Sequence, residues 1–231
     1  QWLEAYDKWD DFCWRTDILG ARVASWTSHF AFLSMGANQI FLNKVLCELG
    51  RQSRHLSRSV LRGQPGHPRI TALKGLIYAG IALPQSESYL VQGMGALELE
   101  INRQRYPDGG HISRNPSIQK DFLRDLLEIE SALTTAHFRV PNWLNQSKYY
   151  IAEMLQGMRL GDGGLARFNG GGSCESEEIE ALLSKVKIRK KAPSAYLHSG
   201  FHRLEAAQTV LVMDVGTPPA RDANRWGHAG A

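Results

Sequence analysis

Apolar residues recur at the three- to four-residue spacing of an α-helix over most of residues 17–160, and this pattern constrains the fold most. Each run stops at a short corner rich in proline, glycine and polar residues. The spacing predicts helices over about 17–35, from an N-cap at Asn38 to about 61, over 70–83, from Ser86 or Ser88 to about 105, and over about 116–137 and 142–158. Long helices joined by short loops favour helical hairpins, stacked as a solenoid or closed as an α/α toroid.

The pattern changes after residue 160. The stretch "GDGGLARFNGGGS" is too rich in glycine for a helix interior, and a short helix is predicted over about 176–186. Two later segments, "SAYLHSGFHRLEA" and "TVLVMDVG", are typical of strands. We therefore predict a mainly α fold class, in which an incomplete α/α toroid of helical hairpins leads into the first strands of an antiparallel β domain.

The same change in pattern predicts the domain organisation. The predicted domains are a partial toroid over 1–175, a linker helix and basic linker over 176–192, and the start of a β-sandwich-like domain over 193–231. The β domain is incomplete within this chain, and there is no initiator methionine, so we expect the chain to be a piece of a longer protein.

Composition narrows the function classes. The net charge of +4 and the pI near 9.0 are mild, so they do not require nucleic acid and are compatible with an acidic polysaccharide partner. Three widely spaced cysteines without a CxxC motif, and the absence of an HExxH motif, predict neither a disulfide framework nor a metal site or other cofactor. No apolar run approaches the roughly 20 residues that cross a bilayer, so no transmembrane segment is expected. These patterns leave the oligomeric state open.

One corner between two predicted helices carries several chemically versatile side chains. In "YPDGGHISRNPSIQ", Tyr106 and Pro107 stop one helix and Pro116 starts the next. His111, Arg114 and Asn115 lie between these points together with Ser113. One interpretation is structural, with Asp108 and His111 organising the turn and Asn115 capping the following helix.

The second interpretation comes from a resemblance to a known family. Successive blocks of the sequence resemble the heparinase II/III-like proteins of the polysaccharide lyase superfamily, in the same order and at similar spacing from about Trp14 to Ala231. The most specific block is "PDGGHISRNPS". The resemblance implies an incomplete α/α toroid followed by a layered antiparallel β domain, with a substrate cleft between them. The other blocks are "LGRQSRHLSRSV", "PRITALKGLIYAGIAL", "GDGGLARFNGG", "YLHSGFHRLEA" and "GHAGA".

The family also implies a reaction, the cleavage by β-elimination of a polysaccharide that contains uronic acid. A donor must offset the uronate carboxylate, a base must remove the proton at C5, and an acid must protonate the leaving oxygen. Histidine suits the proton transfers, while asparagine and arginine suit the carboxylate. The resemblance thus implies a carbon–oxygen lyase with catalytic residues His111, Asn115 and His228. It implies substrate contacts at His55, Arg114, Asp162, Asn169 and Tyr196, of which Tyr196 is also a possible base.

The sequence departs from the family pattern at the corner and in the late strands. Ser113, Arg114 and Asn115 occupy the region where heparin-degrading members carry a glutamate, and Phe201 replaces a frequent tyrosine. Heparin itself is therefore not the expected substrate.

The departures keep alternative functions open. A catalytically inactive glycan-binding toroid would keep the cleft without the base. A helical protein-interaction solenoid would explain the hairpins but neither the glycine loops nor the strands. The family favours the bacterial periplasm or cell envelope as the location.

Overall fold

A computed structural model of the chain describes residues 9–188, 191–221 and 223. Helices occupy most of the chain up to residue 184, and the first strand begins at Ala195, as the sequence predicted. The helices are α1 (Thr16–Ser28), α2 (Phe30–Ser34), α3 (Gln39–Ser59), a 3₁₀ turn (Val60–Arg62), α4 (His67–Ala82), α5 (Glu87–Gln104), α6 (Pro116–Thr135), α7 (Asn142–Gly157) and α8 (Ser176–Ser184). The strands are β1 (Ala195–Tyr196), β2 (Phe201–Ala206) and β3 (Thr209–Asp214).

The chain forms two compact units, and the first comprises Gln1–Glu100 and Ser131–Phe138. Its helices approach closely because small residues lie at the contacts. Gly20 on α1 meets Gly75 on α4, and a side chain at Gly75 would overlap the backbone of Gly20. Gly80 meets Leu90, while Gly93 meets Ile77, so α4 and α5 run antiparallel as a hairpin. The core of this unit includes Val23, Val45, Leu49 and Ala79.

Two local features of the first unit show how side chains set helix ends. Asn38 accepts a hydrogen bond from the backbone N–H of Phe41 at 2.8 Å, which confirms the predicted N-cap of α3. The single helix predicted over 17–35 is wrong, because the chain breaks between α1 and α2 at His29. The Ser28 hydroxyl donates to the Ala24 carbonyl at 2.7 Å and the His29 ring bonds to the Ser25 carbonyl at 2.9 Å, so side chains compete for the last turn of α1.

The second unit comprises Ile101–Glu130 and Arg139–Ala231 and contains the antiparallel sheet in the order β1-β2-β3. The segment "SAYLHSGFHRLEA", which is typical of strands, contains two of them, because a turn separates β1 from β2. The N–H of Gly200 donates to the Tyr196 carbonyl at 2.8 Å to close this turn, and Gly200 adopts a φ of 72°. This left-handed conformation suits glycine, which explains the Ser-Gly sequence at this position.

The mainly α fold class ending in antiparallel strands is confirmed. None of the helices within the described ranges combines the length and the hydrophobicity that a bilayer crossing needs. The domain boundaries at residues 175 and 192 stay predictions.

Candidate functional site

The corner between α5 and α6 is held by a side chain from α6. The Gln119 amide nitrogen donates to the carbonyl oxygens of Gly109 and Ile151 at 2.9 and 3.0 Å. The Gln119 amide oxygen accepts from the backbone N–H of His111 at 2.7 Å. With 3% of its surface exposed, Gln119 satisfies three backbone groups of the surrounding loop and helix that would otherwise be costly to bury.

Asp108 connects the same corner to the turn between β1 and β2. One carboxylate oxygen accepts from the N–H groups of His198 and Ser199, each at 2.8 Å, and from the Ser199 hydroxyl at 3.1 Å. The other oxygen accepts from the N–H of Gly110 at 3.2 Å. The sequence indicated only a turn-forming role for Asp108, whereas the carboxylate also fixes a turn 90 residues further along the chain.

His111 lies inside this corner with 4% of its surface exposed. Its Nδ1 accepts from the backbone N–H of Ser113 at 3.0 Å and lies 2.8 Å from the Ser113 hydroxyl oxygen. The ring packs edge-on against Phe122, with ring centroids 5.4 Å apart. Because Nδ1 acts as an acceptor from the backbone, the neutral ring carries its proton on Nε2.

Arg114 is buried and directs its guanidinium at protein oxygens. Its Nε donates to the Ser199 carbonyl at 2.8 Å, and its terminal nitrogens donate to the Thr217 carbonyl and to the Asp214 carboxylate. The guanidinium carbon also lies 5.1 Å from the centroid of the Phe201 ring. The planar fork is thus used for contacts with the sheet and the segment that follows it.

Asn115 caps α6. Its side-chain oxygen accepts from the N–H groups of Ser117 and Ile118 at 2.8 and 3.2 Å, which are the contacts of an N-cap residue. Its amide nitrogen donates to the Asn169 carbonyl at 3.1 Å. Both ends of the side chain therefore have protein partners.

Asn169, in the glycine-rich loop, completes the network from the other side. It is fully buried and adopts a φ of 51°, a conformation that asparagine tolerates better than most residues. Its amide nitrogen donates to the Arg114 carbonyl at 3.1 Å and to the Asp214 carboxylate at 3.0 Å. The structure thus brings together four residues that the sequence placed in the cleft, namely His111, Arg114, Asn115 and Asn169.

A small cavity adjoins these side chains. About 10 Å³ of it is open to the centre of a water molecule, which is room for about one water and far less than a sugar ring needs. Its lining includes His111, Arg114, Asn115, Gln119, Met154 and Phe201.

Two further predicted site residues lie elsewhere in the second unit. Asp162 accepts from the N–H of Gly164 at 2.9 Å and lines an open groove of about 690 Å³ beside α8. Tyr196 is 2% exposed, and its hydroxyl donates to the Glu153 carbonyl at 3.2 Å. Burial raises the pKa of Tyr196 well above its ordinary value, which disfavours the phenolate that a general base requires.

The remaining predicted residues are His55 and His228. His55 belongs to the first unit, where its ring lies 5.1 Å from that of Trp9 and 5.3 Å from that of Trp14. Loss of hydration and the nearby Arg58 charge lower the pKa of His55. His228 lies outside the described residues. Across the part of the chain that the structure describes, no group of three histidine, cysteine or acidic side chains is placed to hold a metal ion.

A family model, the heparinase II/III N-terminus, matches residues 4–154. The chain belongs to this family. The resemblance inferred from the sequence blocks is therefore confirmed, and family and fold together establish a relationship to the polysaccharide lyases.

Solved structures of heparinase II/III proteins share the fold of this chain. A crystal structure of heparinase III superimposes with a TM-score of 0.75 at 15% identity, over 96% of this chain and 40% of that one. Heparan sulfate lyase HepC from Pedobacter heparinus gives a TM-score of 0.68 at 20% identity, over 93% and 38% of the two chains. At these identities the likeness concerns the fold alone, and these neighbours are toroid proteins, as the predicted fold class requires.

A curated relative carries a different kind of name. FtsZ-localized protein C of Caulobacter vibrioides (strain NA1000 / CB15N) is 27% identical over 220 residues, which are 94% of this chain and 38% of the relative. The present heparinase II/III chain thus spans about two-fifths of the length of the proteins that it matches.

Sequence reasoning missed the residues that hold the corner together. Gln119, Asp214 and Ser199 carry no motif, because their partners are main-chain groups or charges far away in the sequence. One signal was available in the sequence. Asp214 and Arg114 are charged residues in apolar or glycine-rich segments, and a charge that becomes buried needs a partner of opposite charge.

Proposed function

We propose that the whole protein is a polysaccharide lyase-like enzyme that cleaves an acidic polysaccharide containing uronic acid by β-elimination. Family membership and fold support the substrate class. The observation that carries the proposal is the position of the His111 ring, which Ser113 orients beside Asn115 and Arg114. The cavity that these side chains line admits about one water, so the sugar binds outside it. In this proposal His111 and His228 transfer protons, and Asn115 donates to the uronate carboxylate. The proposed substrate contacts in the second unit are Arg114, Asp162, Asn169 and Tyr196, and His55 is a proposed contact in the first unit.

The orientation of the His111 ring, with Nδ1 held at Ser113, leaves Nε2 as the nitrogen that transfers a proton. A base removes the proton at C5, the C5–H electron pair forms the C4=C5 double bond, and the bond between C4 and the bridging oxygen breaks. The general acid is the protonated ring, in which Nδ1–H donates to the Ser113 hydroxyl oxygen and Nε2–H transfers its proton to that leaving oxygen, so that His111 ends as a neutral imidazole. The base is then His228 or Tyr196, and the raised pKa of Tyr196 favours His228.

The test is a comparison of two histidine substitutions in the full-length protein. In His111→Asn, the asparagine oxygen takes the place of Nδ1 and keeps the acceptor for the Ser113 N–H, but proton transfer is lost. We expect turnover of a uronate polymer, followed by the ultraviolet absorbance of the unsaturated product, to fall by about 10²- to 10⁴-fold.

The matched control is His137→Asn. His137 is exposed and has a φ of 59°, which asparagine accommodates, so turnover should not change. Melting temperatures of both variants show whether each one is folded. Wild-type turnover in a folded His111→Asn variant would refute the role assigned to His111.

A second candidate is a non-catalytic polysaccharide-binding protein that localises with FtsZ. Three observations favour it. The hydrogen-bonding groups of Arg114 and Asn115 already have protein partners, and the cavity beside His111 admits about one water. The chain is also more similar in sequence to FtsZ-localized protein C, at 27% identity, than to the two lyase structures, at 15 and 20%.

The two candidates predict different results in the same cells and assays. A lyase of the periplasm or cell envelope releases unsaturated product, and a fluorescent fusion does not follow FtsZ. A non-catalytic binder retains polymer without releasing product, and its fusion coincides with labelled FtsZ. Product release combined with uniform localisation would exclude the second candidate.

A further inference from the structure

Positive charge is concentrated on one stretch of the first unit. No acidic residue occurs between Glu48 and Glu87, while arginines and a lysine recur throughout this stretch. Arg54, Arg58 and Arg62 follow one another at four-residue spacing along α3 and its 3₁₀ extension, and all three are exposed. On an α-helix, residues four apart lie on the same face about 6 Å apart along the axis, which applies to Arg54 and Arg58. Arg62 follows at the end of the 3₁₀ turn, and we call these three residues the arginine ridge.

The ridge differs from the neighbouring arginines in its partners. Arg51 pairs with Glu48 at 2.8 Å, and Arg69 pairs with the buried Glu100 at 3.1 Å. No acidic side chain within the described ranges forms an ion pair with a member of the arginine ridge. Like charges four residues apart destabilise a helix. Repulsion within the arginine ridge therefore lowers the stability of α3, and a bound anionic ligand would offset this repulsion.

An exposed aromatic surface lies beside the ridge. Trp9 is 61% exposed and stacks on the buried Trp14 with ring centroids 5.6 Å apart and an angle of 28° between the rings. Trp9 also contacts His55, which precedes Arg58 by three positions on the same helix. The indole N–H of Trp9 donates to Asp11 at 3.0 Å, so the ring is held in place while much of its surface faces solvent.

We propose that the arginine ridge, with His55 and Trp9, is a binding surface for an anionic polysaccharide. The guanidinium groups pair with carboxylate or sulfate groups of the polymer, and the exposed face of Trp9 stacks on the apolar face of a sugar ring. Trp9 favours a sugar polymer over a purely ionic ligand, because the ridge alone would suit any polyanion. The proposal rests on the proposed function for its ligand class only and does not depend on catalysis.

The experiment compares two triple variants of the full-length protein that lose the same charge. The first is Arg54→Gln, Arg58→Gln and Arg62→Gln. The second removes three exposed cations elsewhere, through Lys44→Gln, Arg139→Gln and Lys185→Gln. Affinity is measured for alginate, polygalacturonate and a sulfated uronate polymer, with RNA and anionic phosphatidylglycerol vesicles as competing probes. Turnover is followed in parallel.

We expect the ridge variant to bind the preferred polysaccharide about tenfold more weakly, and the control to bind within about twofold of the wild type. Trp9→Ala should also weaken binding of the sugar polymer, and Trp9→Phe should restore part of it. Equal losses in the two triple variants, or tighter binding of RNA or vesicles than of any polysaccharide, would overturn the inference.

The outcomes separate this inference from the proposed function. Polysaccharide turnover with binding that is insensitive to the ridge variant refutes the ridge and leaves the proposed function in place. A wild-type protein that binds none of the polysaccharides refutes both. Ridge-dependent binding without turnover supports the ridge and removes only the lyase reaction.

Discussion

His55 illustrates at the residue scale how neighbouring side chains set the behaviour of a titratable group. The rings of Trp9 and Trp14 exclude water from the imidazole, and Arg58 adds a positive charge, so its pKa lies below the ordinary 6.5. The folded state therefore binds a proton less tightly than the unfolded chain does. Neutral His55 contributes stability above about pH 6.5, and this contribution is lost as the pH falls through the folded-state pKa.

We predict that His55→Gln reduces the acid sensitivity of the first unit. Glutamine fills similar space without titrating, so the melting temperature of the variant should fall less than that of the wild type between about pH 7.5 and 5.5. The difference between the two proteins is the relevant quantity, because other groups titrate in both. Equal decreases in the melting temperatures of the two proteins over this pH range would contradict a lowered pKa of His55.

The residue scale also shows what the sequence could predict about the site. The cap at Asn38 followed from local sequence, because an N-cap needs only its own helix. The corner suggested both a capping and a substrate role for Asn115, and the capping contacts are present. The contact between Asn115 and Asn169 could not be predicted. The two residues are 54 positions apart, and a single hydrogen bond produces no repeating pattern in the sequence.

At the element scale, the ion pair between Arg114 and Asp214 joins the corner before α6 to the end of β3. The side chains of Arg114 and Asp214 are 2% and 7% exposed, and Asn169 donates to the second carboxylate oxygen. A buried pair of this kind contributes little net energy, but the loss of one partner leaves an uncompensated charge in a medium of low polarity.

We predict that Asp214→Asn lowers the free energy of unfolding by about 3 to 5 kcal/mol, because one amide oxygen replaces two carboxylate oxygens and Arg114 keeps its charge. The exposed pair between Arg15 and Asp17 offers the control, since Asp17→Asn should cost less than about 1 kcal/mol. Urea unfolding measures both. The double variant Arg114→Met with Asp214→Leu should recover part of the loss. Similar losses of unfolding free energy in Asp214→Asn and Asp17→Asn would contradict the assignment of a buried ion pair to Arg114 and Asp214.

Helix positions were predictable at this scale because hydrophobic periodicity and proline corners are local signals. Two local features that were not predicted share a physical cause. The break at His29 arises from side chains that bond to the last carbonyl groups of α1, and the turn before β2 depends on Asp108, which lies 90 residues earlier. Neither contact changes the apolar pattern from which the elements were predicted.

At the scale of the whole molecule, the division into two compact units makes a prediction about energetic coupling. Glu100 in the first unit binds Arg69 and the N–H of Gly66, and Asp214 in the second unit binds Arg114 and Asn169. We predict that the effects of Glu100→Gln and Asp214→Asn on unfolding free energy add within about 0.5 kcal/mol, because the hydrogen-bond partners just named for Glu100 and for Asp214 belong to different units.

The comparison pair is Asp214 and Asn169, whose side chains belong to one hydrogen-bond network in the second unit. Asp214→Asn and Asn169→Ala remove groups that contact each other, so their combined effect should differ from the sum by more than about 0.5 kcal/mol. Urea unfolding of the three single and two double variants gives both coupling energies. Strong coupling between Glu100 and Asp214 would show that the two units do not behave as separate energetic blocks.

The partners of Arg114 impose an order on the synthesis of the protein. They lie 85, 100 and 103 residues further along the chain, at Ser199, Asp214 and Thr217. A ribosome that adds about 5 to 20 residues per second delivers the last of them roughly 5 to 20 seconds after Arg114 itself. Until then the guanidinium must stay hydrated, so the nascent chain cannot close the corner however early its helices form. A ribosome that pauses before Thr217 therefore holds a protein with formed helices and an open corner.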